Sequence, residues 1–145
     1  MISKWTRRFL KLTLHVGEWS KDESTKVGSV IANGKFIVSL GFNGRPAGVI
    51  DPDDIGRDEK LATVIHSEVN AILSARQSLV GFTLYCSHPI CSNCASVIVQ
   101  SGITKVIVIK PEEGFAERWK KSNDLAQGMF KQAEVSYIEI DRGEL

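Results

Sequence analysis

The sequence predicts an α/β fold of three layers, α-β-α, around a five-stranded mixed sheet, and three observations predict it. Hydrophobic period switches between helical and strand spacing in the order α-β-β-α-β-α-β-α-β along 145 residues. That order implies a mixed sheet with helices on both faces. The composition, 43% hydrophobic and 24% charged, suits a chain that buries a real core and excludes intrinsic disorder. The length fits one domain spanning residues 1–145.

Each element has its own signal. Residues 4–20 carry Trp5, Phe9, Leu12, Val16 and Trp19 at steps of three and four, one stripe of an amphipathic helix. Polar Ser20 to Lys26 reads as a turn. Val27 to Ala32 and Lys35 to Phe42 read as strands joined by an Asn33-Gly34 hairpin turn. Gly41, Gly44, Pro46 and Gly48 break the pattern, and Gly44 to Lys60 reads as a long loop of the functional or mobile kind. Leu61 to Gln77 is a helix, Leu79 to Ser87 contains a short strand, and Cys91 to Gly102 is a helix that Gly102 ends. The β-branched run Thr104 to Lys110 is a buried strand. Glu113 to Ala133 is a helix, and Val135 to Ile140 alternates as a final strand.

Charge and cysteine usage exclude several classes. Lys plus Arg is 18 and Asp plus Glu is 17, a net charge of +1, so the charge balance makes no electrostatic case for a nucleic-acid or membrane-surface protein. No apolar run has bilayer length, and Arg7, Arg8 and Lys11 interrupt any signal-peptide core, so a cytoplasmic location is expected. Cys86, Cys91 and Cys94 are three cysteines bunched within nine residues, a poor disulfide framework and a better metal site.

Two stretches carry chemistry. His66-Ser67-Glu68 places a carboxylate two residues after an imidazole. Pro89-Ile90-Cys91-Ser92-Asn93-Cys94 places two thiols, at the start of a helix, at the separation one zinc ion takes. Three such ligands leave a fourth tetrahedral position for water, whose pKa zinc lowers to about 7. Glu68 could accept the proton of that water without binding the metal.

With its flanks, this pattern resembles the zinc-dependent cytidine and deoxycytidylate deaminases, most closely the branch acting on dCMP. The resemblance rests on Ser20 to Gly28 (SKDESTKVG), Gly41 to Gly48 (GFNGRPAG), His66 to Ile72 (HSEVNAI) and Val99 to Ile103 (VQSGI), and covers roughly residues 20–110. Free cytidine deaminases usually carry cysteine where this chain has His66. The resemblance implies a cytidine-deaminase-like fold and hydrolytic deamination of dCMP to dUMP, serving dTMP supply. It implies one catalytic Zn2+ held by His66, Cys91 and Cys94 with water as fourth ligand. Glu68 is then the proton shuttle. Asn43 would sit in the substrate pocket. Lys26, Ser24, Arg118 and Arg45 are candidates for the phosphate, and Trp119 for stacking on the base. The resemblance also implies a dimer-based homo-oligomer, up to a hexamer, and the effectors dCTP and dTTP, for which Gly44 to Lys60 and Pro111 to Arg118 are the places to look. The chain departs from the family at Ile90, where proline is usual, at Ser67, where alanine is usual, and in lacking residues for a second zinc site.

Other readings stay open at this point. Cys86 and His88 could close a four-ligand structural site with Cys91 and Cys94. Glu68 could be an ordinary acidic residue at a helix start, Asn43 a turn residue, and Glu112 to Lys121 a solvated face. Trp5, Phe9 and Leu12 read as core or subunit contact. Rival substrates are dCTP and a 5-modified dCMP. A tRNA-type deaminase would need a cationic surface that the composition lacks. A zinc-stabilised binding module without catalysis is the remaining alternative.

Overall fold

A computed structural model describes residues 1–114 and 117–145, without the side chain of Arg118. The elements are α1 (Lys4–Gly17), β1 (Gly28–Asn33), β2 (Phe36–Phe42), α2 (Arg57–Thr63), α3 (Ser67–Ala75), β3 (Thr83–Cys86), α4 (Ser92–Ser101), β4 (Lys105–Ile109), α5 (Glu117–Gln132) and β5 (Ser136–Ile140), followed by a 3-10 turn, Arg142–Glu144. The strands form one sheet in the order β2-β1-β3-β4-β5. β1 is antiparallel to β2 and β3, whereas β3, β4 and β5 run parallel. The mixed sheet is the expected one, because each parallel neighbour is reached through a helix and β2 through a hairpin.

Strand alternation sorts the core into two clusters. Val30, Ala32, Tyr85, Ile107 and Ile109 pack with Phe9 and Leu10 of α1. Their neighbours Ile31, Leu84, Cys86, Val106 and Val108 pack with Ala71, Ala95, Ile98, Ala126 and Phe130 of α3, α4 and α5. Period-two alternation thus sends successive side chains to opposite layers. Ser3 caps α1, its Oγ accepting the Thr6 N–H at 3.0 Å. Of the stripe read from sequence, Phe9 and Val16 are buried, but Trp19 lies beyond the helix and is 53% exposed. Leu10 and Thr13 fill the inward face instead.

Two glycines set how closely helices approach the sheet. A Cβ on Gly28 would lie 2.0 Å from the Thr13 carbonyl of α1. One on Gly41 would lie 2.3 Å from the Ser67 carbonyl and 2.4 Å from the Ala71 nitrogen of α3. The start of α3 therefore rests directly on β2.

Several boundaries differ from expectation. The hairpin turn is Gly34-Lys35, because Asn33 pairs with Phe36. An irregularity after Ile31, which pairs with Ser39 while Ala32 pairs with Ile37, adds a residue to β2. The segment read as one helix, Leu61 to Gln77, is two. Between α2 and α3, Ile65 is extended and exchanges hydrogen bonds with Gly44, Gly44 N–H to Ile65 O at 3.0 Å and Ile65 N–H to Gly44 O at 2.8 Å. The β-branched pair Val64-Ile65 takes this bridge in place of a helical turn. The loop from Gly44 accordingly ends at Gly56 rather than Lys60, and α2 buries none of its side chains. The final helix is expected from Glu113; α5 spans Glu117–Gln132, and residues 115 and 116 lie outside the described residues. The other elements match within a few residues, including the end of α4 at Gly102.

Candidate metal centre and active site

Two helix N-termini meet at the site. His66 is the N-cap of α3 and Cys91 the N-cap of α4, both with extended backbone, and Cys94 lies in the first turn of α4. The break between α2 and α3 matters here: it ends the extended stretch at His66 and starts a new helix, so Glu68 falls in the first turn. The His66 Nδ1 atom lies 3.3 Å from Cys94 Sγ and 3.4 Å from Cys91 Sγ. The donor atoms of these three residues all lie within 4.8 Å of one another. A tetrahedral zinc with ordinary Zn–N and Zn–S bonds separates such donors by about 3.5 Å. The donor set, one imidazole and two thiols, therefore fits zinc in both chemistry and spacing.

Among the described residues this is the one such group, and it excludes Cys86 and His88. The Cys86 side chain points into the core, fully buried, with its sulfur 3.9 Å from Ser67 Oγ. Burial pushes its thiol pKa up. His88 Nδ1 lies 3.2 Å from Ser87 Oγ, and burial pushes its pKa down. The closed four-ligand reading is not the arrangement found.

The ligand residues perturb one another. A hydrogen bond from the Cys94 thiol, with another from His66, pulls the Cys91 thiol well below the usual thiol range. That bond and burial hold Cys94 protonated, well above the usual thiol range. The Cys91 thiolate in turn raises His66. Binding a cation at these donors requires both thiols to give up their protons.

Glu68 is buried, 4% exposed. Burial raises its carboxyl above the usual range, against the opposing pull of its hydrogen bond with Ser67 and of His66. Ser67 Oγ donates to Glu68 Oε1 at 2.8 Å and lies 2.7 Å from Ser29 Oγ on β1. A solvated helix-start carboxylate would show neither the burial nor these partners.

The remaining candidates scatter. Asn43 is buried and uses its amide on its own fold, donating to Thr25 O at 2.9 Å and accepting from the Val27 N–H at 2.9 Å. It still lines a cavity of about 230 Å³ together with Ser24, Lys21, Arg45, Lys60 and Val64. The Gly44–Ile65 bridge joins this cavity to the residue preceding His66. Lys26 is outside that lining and donates to the Ser20 carbonyl. Trp119 is in the first turn of α5, 39% exposed, and does not line the cavity. The Arg118 side chain lies outside the described residues.

Within the cavity Lys21 is paired with Asp51 and Asp53, Lys60 with Asp22, and Arg45 with Glu59 at 3.3 Å. Arg45 has further donors, since its Nε and Nη1 are buried without a partner among the described residues. The Ser29–Ser67 pair has no sequence signal, because it joins residues 38 apart.

The family model described as the cytidine and deoxycytidylate deaminase zinc-binding region matches residues 3–110. The chain belongs to this deaminase family. An uncharacterized deaminase from the luxG 3' region of Aliivibrio fischeri is 45% identical over 97% of this chain and 98% of its own. The deoxycytidylate deaminase of Mus musculus is 32% identical over 92% of this chain and 78% of its own. The structure of dCMP deaminase from cyanophage S-TIM5 in complex with dCMP and dUMP superposes with a TM-score of 0.79 at 24% identity, over 97% of this chain and 99% of that one. That likeness bears out the three-layer deaminase fold with its five-stranded sheet. In this member of a zinc-binding family, His66, Cys91 and Cys94 form the group of side chains that could hold the metal. No helix among the described residues is long and apolar enough to cross a membrane.

Proposed function

We propose that this deaminase converts dCMP and water to dUMP and ammonia, with Glu68 as the proton carrier. The observation that carries the reading is a buried carboxyl placed two residues from His66, beside a group of three donors that fits zinc. Bound there, zinc would supply a Lewis acid that makes water nucleophilic near neutral pH. Glu68 takes one proton from the attacking water and delivers it to N3 of the cytosine ring, then carries the proton of the resulting C4 hydroxyl to the departing amino group. Its raised pKa suits both directions of transfer, because a carboxyl poised nearer neutrality can be base and acid in one cycle. The Ser67 hydroxyl fixes the orientation of Oε1.

Arg45 supports a phosphomonoester substrate. Arg45 lines the cavity with Ser24, its Nε and Nη1 are buried without a partner among the described residues, and the Gly44–Ile65 bridge ties the cavity wall to the residue before His66. A guanidinium matches a phosphate bidentately. Arg45 therefore ranks above Lys26, Arg118 and Trp119 for this role, and Asn43 shapes the cavity wall. The relative named deoxycytidylate deaminase in Mus musculus points the same way. Assembly into a dimer-based oligomer and response to dCTP and dTTP belong to the same reading; sedimentation with and without each nucleotide tests both.

The substrate is tested by ammonia release from dCMP, CMP, deoxycytidine, dCTP and 5-methyl-dCMP. The reading expects dCMP to be preferred. It also expects Arg45→Ala to raise KM for dCMP by about 10- to 100-fold, the worth of a charge-assisted hydrogen bond, with little change for deoxycytidine. Preference for dCTP or 5-methyl-dCMP would reassign the substrate within the family, and equal use of deoxycytidine would remove the phosphate from the account.

A further inference from the structure

Two neighbouring residues of α5 hold the chain on either side of Cys91. Asn123 Nδ2 donates to the Ile90 carbonyl at 2.9 Å. The Ser92 N–H donates to Ser122 Oγ at 2.8 Å, and the Ser122 hydroxyl reaches Ser92 Oγ at 3.2 Å. One contact fixes the peptide group before the ligand and the other the peptide group after it.

Asn123 is itself held. Gln127 Nε2 donates to its Oδ1 at 2.7 Å, and its Nδ2 also lies 3.2 Å from the Tyr137 hydroxyl. Tyr137 stacks on Phe130, ring centroids 5.6 Å apart. Asn123 shares the buried stripe of α5 with Ala126 and Phe130. An amide on a buried stripe is costly unless its hydrogen bonds are met, so its presence points to a use.

The stretch it serves has need of it. Ile90 is fully buried, and no proline ring fixes its backbone. The Ser92 amide is among the first of α4, which have no partner within the helix. The direction of the Cys91 sulfur follows from the two flanking peptides.

We infer that Ser122 and Asn123 are positioning residues for the zinc centre, acting from α5 through the backbone on both sides of Cys91. The inference rests on the metal reading of His66, Cys91 and Cys94. It predicts that α5 governs how tightly the metal is held, although it contributes no ligand. Partners of this outer kind typically contribute about 10- to 100-fold in metal affinity.

The test uses the full chain loaded with zinc or with cobalt(II). The rate of zinc transfer to a colorimetric chelator and the visible cobalt spectrum are recorded for wild type, Ser122→Ala, Asn123→Ala and the double variant. Ala126→Gly, which weakens the same helix and leaves both contacts in place, is the control. Zinc loss should quicken at least tenfold in Asn123→Ala and further in the double variant, with shifted cobalt bands. Ala126→Gly should lower Tm without either change. If Asn123→Ala does not fold, Ser122→Ala alone should still show faster zinc loss and altered bands. Rates and spectra equal to wild type in the folded variants, or changes matched by Ala126→Gly, would overturn the inference. A wild-type protein that takes up neither metal would overturn the zinc centre itself, and this inference with it.

Discussion

Glu68 is ionisable, buried and close to two thiols, and each of these has a consequence for stability. Burial raises its pKa in the folded chain, so the fold binds that proton more tightly than the unfolded chain does. The group therefore favours folding at pH below the unfolded carboxyl value of about 4.3, and that contribution is lost as pH rises through the raised folded value. At neutral pH the burial of the Glu68 carboxyl opposes folding of the metal-free protein. Metal-free Glu68→Gln should accordingly have a higher urea midpoint than metal-free wild type at pH 7, with the gap closing towards pH 4. Ser67→Ala should cost about 1–2 kcal/mol in the same measurement, because it strips a hydrogen bond from a buried carboxyl and leaves Ser29 without its partner. The ligands and Glu68 were legible in the sequence because the motifs compress them into short spacings. The hydroxyl pair Ser29–Ser67 and the open donors of Arg45 were not, because contacts between distant segments create them.

At the scale of elements, the break between α2 and α3 does most to build the site. Helical period ran through it in the sequence, and nothing local marked the Ile65–Gly44 bridge, which needs a partner 21 residues away. The strands were legible because two-residue alternation survives burial on both faces, whereas the hairpin turn lies one residue later than expected because Asn33 pairs with Phe36. Gly41 lets α3, and with it His66 and Glu68, lie against β2. Gly41→Ala would force a Cβ to within 2.4 Å of two backbone atoms of α3. It should cost at least about 1–3 kcal/mol by chemical denaturation and weaken zinc retention as well. Gly44→Ala is the contrast, since an added Cβ there meets nothing within 4 Å.

For the whole molecule, two apolar clusters lie on opposite faces of the sheet, Cys91 and Cys94 are only two of the many members of the larger one, and zinc held by them and His66 would tie the starts of α3 and α4 together. Metal removal should therefore lower Tm, by about 4 °C for each kcal/mol lost, while far-ultraviolet circular dichroism keeps its folded form. A small zinc-nucleated domain would unfold instead. The fold class, the helices on both faces and the family were legible from periodicity and motif together; the cavity was not, because its walls come from Lys21 to Ser24, Asn43 to Arg45 and Lys60 to Val64. The central claim is that this zinc site and Glu68 together deaminate dCMP. The most direct measurement is the conversion of dCMP to dUMP by wild type and Glu68→Gln at equal, verified zinc content. The account predicts turnover by wild type and a loss of about 100- to 10,000-fold in the variant. Undiminished turnover in Glu68→Gln, or no turnover by zinc-loaded wild type, would contradict it.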